Sequence, residues 1–194
     1  METNTHNIYL FKAIQAYPWE LEKAVEALNY ALAYEPENVK ALCLMAKVYS
    51  EQLGDNEKAK AYYESALAAR MDIPEVYPDY INLLITNDDF EMAQKLIDFA
   101  LTVKGIDKAL IYLNQANLFE ANMEFDKAEN MLKDAKQYAL NNGFMDFIDE
   151  QLSRVIKKRE IQFNKKDKTV EANKKVESAE NTNNWFKNRL NNLL

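Results

Sequence analysis

The chain has 194 residues, 48% of them apolar, with a net charge of −7, one cysteine, three glycines and four prolines. The length and apolar share suffice for one packed domain, and the scarcity of glycine and proline excludes a turn-rich β architecture. One cysteine excludes an internal disulfide framework and fits a reducing compartment; no apolar run reaches the roughly 20 residues of a membrane span, and METNTHNIYLFKAIQ lacks a secretory pattern, so a cytoplasmic location without membrane insertion is expected.

In chain order, a first helix is predicted near Ile8 to Tyr17, with a register against later segments that the sequence does not set. The segment LEKAVEALNYA at 21–31 then recurs in outline as NEKAKAYYESA at 56–66, DFEMAQKLIDFA at 89–100 and EFDKAENMLKDA at 124–135. Its first alanine falls at Ala24, Ala59, Ala93 and Ala128, its second at Ala31, Ala66, Ala100 and Ala135, both advancing by 35, 34 and 35 residues. A fixed period of this size marks supersecondary units that are too small to bury their own apolar faces and are stable only when stacked. Each copy follows another helical pattern, as in YINLLITN and ALIYLNQANLFEAN, where Tyr112, Ala116 and Phe119 share a face. Two antiparallel helices per unit result, and alanine at their crossing lets the backbones approach closely.

These alanine pairs, the larger residues between them (Leu28, Tyr63, Ile97, Leu132), Pro36 closing the first unit and Leu42, Met45, Ala46 and Tyr49 of the second resemble the tetratricopeptide repeat family over about residues 6–141. The resemblance implies an all-α, right-handed superhelical solenoid of about four helix pairs, followed by a capping helix and a tail. The chain departs from the family pattern at Ile81, where a small residue is preferred, at Gln115, where leucine is, and at Leu53, inserted before Gly54. Pro78 falls inside an expected helix, which should therefore start late or bend.

Asn141–Asn142–Gly143 reads as a helix C-cap. The division expected is repeats over 1–143, a capping helix over 144–163 with Phe144, Ile148, Leu152, Val155 and Ile156 on one stripe, a charged linker over 164–183, and a short amphipathic docking segment over 184–194 carrying Trp185, Phe186, Leu190, Leu193 and Leu194. Residues 154–175 hold nine basic and three acidic side chains, net +6, which leaves −13 for the rest of the chain. The basic stretch is read as solvated, as touching the acidic body, or as meeting an acidic partner.

No phosphate loop, nucleophile elbow or metal-ligand cluster is present in the sequence, so neither an enzyme nor a cofactor is expected. His6, the single histidine, reads as a solvated polar residue; Asp88 and Asp89 as helix-start carboxylates; and Cys43 as an inert groove or core thiol.

What the family implies of function is a concave face lined by the first helix of each pair. Carried onto this chain, that face shows Lys40, Cys43, Lys47 and Ser50, then Glu75, Asn82, Ile85 and Thr86, then Leu110, Leu113, Asn117 and Glu120. Asn82 and Asn117 share one place in consecutive units, and an asparagine ladder can hold a peptide backbone without reading side chains; asparagine is also abundant throughout the chain, so composition alone competes with that reading. Cys43, Pro78 and Leu113 stand at the sites of the family's clamp for acidic chaperone tails, which disfavours such a ligand. An acidic body disfavours RNA.

The expected partner is a protein or peptide segment, bound by Lys40, Lys47, Asn82, Ile85, Leu110, Leu113, Asn117 and Glu120 in an adaptor, scaffold or small chaperone, with the C-terminal apolar segment making a second contact. The alternative is an assembly subunit or self-associating protein whose C-terminal segment docks in its own or a neighbour's groove.

Overall fold

The computed structural model describes residues 7–164. Helices α1 (Ile8–Ala16), α2 (Leu21–Tyr34), α3 (Val39–Lys47), α4 (Asn56–Ala69), α5 (Val76–Thr86), α6 (Phe90–Ala100), α7 (Lys108–Ala121) and α8 (Phe125–Tyr138) pair off in sequence order, each pair packing on the next. A ninth helix, α9, runs over residues 142–164. No strand occurs among the described residues. The fold is an all-α solenoid of stacked helix pairs.

The periodic alanines explain the pairing. All eight, from Ala24 to Ala135, are fully buried, and Leu28, Tyr63, Ile97 and Leu132 fill the space between them. Each alanine sits where two helices cross, and a larger side chain there would hold the backbones apart.

Side-chain caps set the starts of α1, α3, α4 and α7. The Asn7 side chain accepts from the backbone N–H groups of Tyr9 and Leu10, Asn38 from Ala41, Asp55 from Lys58 and Asp107 from Leu110, so each satisfies amides that have no partner within the helix. Helix α5 lacks such a cap. It begins 37 residues after α3 but only 32 before α7, which places Pro78 in its first turn, where a missing N–H costs no helical bond.

The residue inserted before Gly54 is absorbed without breaking the stack. Val48–Leu53 winds as one π-helical stretch at the end of α3, and Gly54 closes it in the left-handed region at φ 66°. The same left-handed turn recurs at Asp88 (φ 59°) and Met123 (φ 58°), 34 and 35 residues further on.

The reading of Asn141–Gly143 as a C-cap is overturned. Helix α8 ends at Tyr138, and the Asn141 side chain accepts from the Phe144 N–H at 2.8 Å, so it starts α9. Gly143 lies inside α9 with no left-handed φ. Helix α9 lays Ile148 and Val155, both buried, with half-buried Phe144 and Leu152, on the apolar cluster of α7 and α8. Five ion pairs among the described residues hold its polar flank: Lys136 to Asp149 at 2.6 Å, Arg154 to Glu120 at 2.6 Å, Lys158 to Glu120 at 2.7 Å, Arg159 to Asp126 at 3.4 Å, and Arg159 to Glu129. Much of the basic character of this helix is thus spent on the acidic body.

Candidate peptide-binding groove

The first helices of the pairs line one face of the solenoid. On it, a cleft of about 250 Å³ opens between α1, α3 and α5, walled by Ile14, Val39, Cys43, Leu44, Ile73 and Val76 and rimmed by Lys40, Lys47, Glu75 and Asp79. A second, more polar cleft of about 330 Å³ adjoins it through Asp79 and continues past Ser50, Glu51, Asn56, Tyr63, Asn82, Leu83 and Thr86. Lys47 Nζ and Asp79 Oδ2, 2.7 Å apart, bridge α3 and α5 between the two.

The expected groove residues divide into three kinds. Lys40, Lys47 and Asn82 line this open part. Lys47, Asn82 and Asn117 stand 35 residues apart on α3, α5 and α7, and among the described residues neither asparagine side chain bonds another protein group. Ile85 and Leu113 do not form an open wall: both are buried, Ile85 among Ile111 and Leu118, Leu113 in the α7–α8–α9 cluster that half-buried Leu110 also joins. Glu120 is not free for a partner either, because its side chain is only 9% exposed and accepts from Arg154 and Lys158.

For Leu110, Leu113 and Glu120 the cause is α9, whereas Ile85 is covered by Ile111 and Leu118 of α7. Helix α9 packs against α7 as another first helix would, so the apolar and acidic residues at the α7 end meet a neighbour instead of solvent. The open groove therefore belongs to the N-terminal half of the stack.

Sequence reasoning missed Ile14, Leu44, Val76 and Asp79. Asp79 shares the helical face of Glu75 and Asn82, a signal that was present at a spacing of three to four residues. Ile14 carried none, since the register of α1 was unset. Cys43 sits in this cleft with its thiol pushed up to about 11, first by burial and next by the charge of Asp79. At neutral pH it is a small apolar surface element, not a nucleophile.

Among the described residues no helix is long and apolar enough to cross a membrane. Trp185, Phe186, Leu190, Leu193 and Leu194, expected from the sequence to form a docking segment, lie outside the described residues, as does His6.

No family model matches the chain, and no curated protein matches it in sequence. Solved structures do. PilW, a type IV pilus biogenesis factor, is similar with a TM-score of 0.62 at 20% identity, covering 78% of this chain and 77% of its own. PilF of Pseudomonas aeruginosa gives 0.64 at 16% identity, covering 79% and 72%. A tetratricopeptide repeat protein from Parabacteroides merdae gives 0.62 at 21% identity, covering 84% and 67%. With eight buried alanines at the family's period and these structural likenesses, the chain has the tetratricopeptide repeat fold.

Proposed function

We propose that the chain is a non-enzymatic binding module that holds an extended protein or peptide segment in the cleft of α1, α3 and α5. The observation that carries this reading is the cleft's mixed lining. Ile14, Cys43, Leu44 and Val76 offer an apolar floor for a side chain, while the amide of Asn82 beside it has no intramolecular bond among the described residues. An amide with donors and an acceptor can hold a peptide backbone in place, and an apolar cleft with few polar groups is the common form of a ligand site. Asn117 extends the ladder toward α7. The lone, protonated Cys43 accords with a cytoplasmic setting.

RNA is the weaker reading. Arg154, Lys158 and Arg159 are engaged by Glu120, Asp126 and Glu129, so these cations are not free to displace counterions from a nucleic acid.

The test is a peptide library selected against the full chain, with affinities measured by calorimetry. Selected peptides are expected to lose about tenfold in affinity, about 1.4 kcal/mol, on Asn82→Ala or Lys47→Glu. Affinities indifferent to both substitutions would remove the cleft as the site.

A further inference from the structure

The two ends of the stack differ. At the α7–α8 end, α9 covers the apolar surface with Ile148 and Val155. At the α1–α2 end, Ile8, Phe11, Trp19, Tyr30 and Tyr34 are all more than half exposed. A groove of about 420 Å³ runs there between the two helices, floored by Ala16 and Ala27, walled by Tyr9 and Tyr30 with ring centroids 5.3 Å apart, and rimmed by Lys12, Glu20, Lys23 and Glu26.

The repeat explains the groove. Ala27 stands where Tyr62, Leu96 and Met131 stand in the later pairs, at steps of 35, 34 and 35 residues, and each of those large side chains is half-buried against the core. The first pair has a methyl group in that place, and space for a large side chain from elsewhere.

We infer that the chain's own segment Trp185–Leu194 docks in this α1–α2 groove, within the same molecule. Trp185 or Phe186, Leu190 and Leu193 or Leu194 recur at the spacing of one helical face, which is what a terminal pair needs from the next element in a solenoid. Charge agrees: residues 7–38 carry five glutamates and two lysines, net −3, whereas 185–194 carry Lys187 and Arg189 and no acidic side chain.

Reach agrees as well. Gln162 donates to the Met123 carbonyl at 3.3 Å, so the last described turn of α9 lies at the α7–α8 turn, the same edge of the stack as the α1–α2 turn. Four helix spacings of 8–10 Å put that end about 40 Å from α1, and the twenty residues 165–184 span up to about 66 Å when extended. Attachment to the same chain raises the local concentration of the segment above that of a second copy in dilute solution. This inference concerns the end of the stack and stands apart from the reading of the concave cleft.

Trp19→Phe in the full chain leaves Trp185 as the only tryptophan and alters a side chain that is 89% exposed. Trp185 fluorescence is then expected to be blue-shifted, unchanged by dilution, and quenched by acrylamide with a several-fold smaller constant than after Tyr30→Glu, with circular dichroism confirming the fold. Leu190→Glu, which leaves the pair itself untouched, should release the segment to the same extent. An emission as red and as quenchable as that of a free peptide, or one unmoved by Tyr30→Glu, would overturn the inference. So would a shift that vanishes on dilution, which means a partner copy, or one moved by Asn82→Arg, which means the concave cleft.

Discussion

Arg154 on α9 reaches back to Glu120 on α7 at 2.6 Å, and Lys158 meets the same carboxylate at 2.7 Å. One almost enclosed carboxylate thereby fastens the last helix to the repeats. Charge-assisted bonds of this kind are stronger than neutral ones, and removing the acceptor leaves two cations facing each other without it. Glu120→Ala is expected to cost about 0.5–1.5 kcal/mol in urea unfolding, since both cations are half exposed and can be hydrated, with faster amide exchange in α9 before the repeats open. Equal exchange in α9 for both proteins would show that Ile148 and Val155 hold the helix unaided.

The crossing alanines give a second expectation. Ala93 and Ala128 are fully buried, so Ala128→Leu should destabilise by about 1–3 kcal/mol through overpacking. Exposed Asn130, two residues along the same helix, is the control position, where leucine should change stability by no more than about 0.5 kcal/mol. A tolerated leucine at both would mean that the alanines are compositional.

The left-handed turns supply a third. Gly54, Asp88 and Met123 occupy the same turn of successive pairs at φ 66°, 59° and 58°, and only glycine adopts that region freely. Met123 is 66% exposed, so its side chain contributes little packing to offset the strain. Met123→Gly should raise stability by about 0.5–1 kcal/mol, and Gly54→Ala, whose new methyl would meet nothing within 4 Å, should lower it by about as much. Thermal unfolding of the two variants decides the sign.

A fourth rests on Asn114, buried on α7, whose amide donates to the Pro78 carbonyl on α5 at 2.9 Å. This bond ties the uncapped first turn of α5 to the next pair. Asn114→Ala should cost about 1–3 kcal/mol and loosen α5 at its start, seen as amide exchange rising over 76–80 more than over 90–100.

The repeat was legible because each pair buries the same crossing, and a crossing admits few residue types; Ala59 and Ala93 announce it wherever they occur. What surrounds a pair is set by neighbours distant in sequence. Ile85 and Leu113 lie on the stripe that faces the concave side, but whether such a position meets solvent depends on how far the next first helix closes over it, and nothing local to Leu113 specifies α9. Glu120 is the same case, since its partners lie 34 and 38 residues away. Asn141 was misread because asparagine serves either end of a helix, and the following glycine suggested the wrong one. Asp79 went unnoticed because a carboxylate on a helix usually means a solvated face.

Cys43 offers a readout of the concave cleft itself. Its thiol is pushed up to about 11, by burial first, then by Asp79, with Lys47 opposing and Glu75 adding. Alkylation of the folded protein should therefore be slow at neutral pH and rise toward that value, whereas a free thiol titrates at about 8.5. Asp79→Asn removes the second cause and releases Lys47 from its 2.7 Å pair, so the profile should move to lower pH. The linkage has a definite sign: the folded pKa exceeds the unfolded one, so the contribution to stability is whole below the unfolded value and is lost as pH rises through about 11. A peptide seated beside Asn82 and Lys47 should slow alkylation further without changing the fold. A Cys43 that reacts at the rate of a free thiol near pH 8, with or without peptide, would mean that the cleft is open to water where the proposed ligand is held.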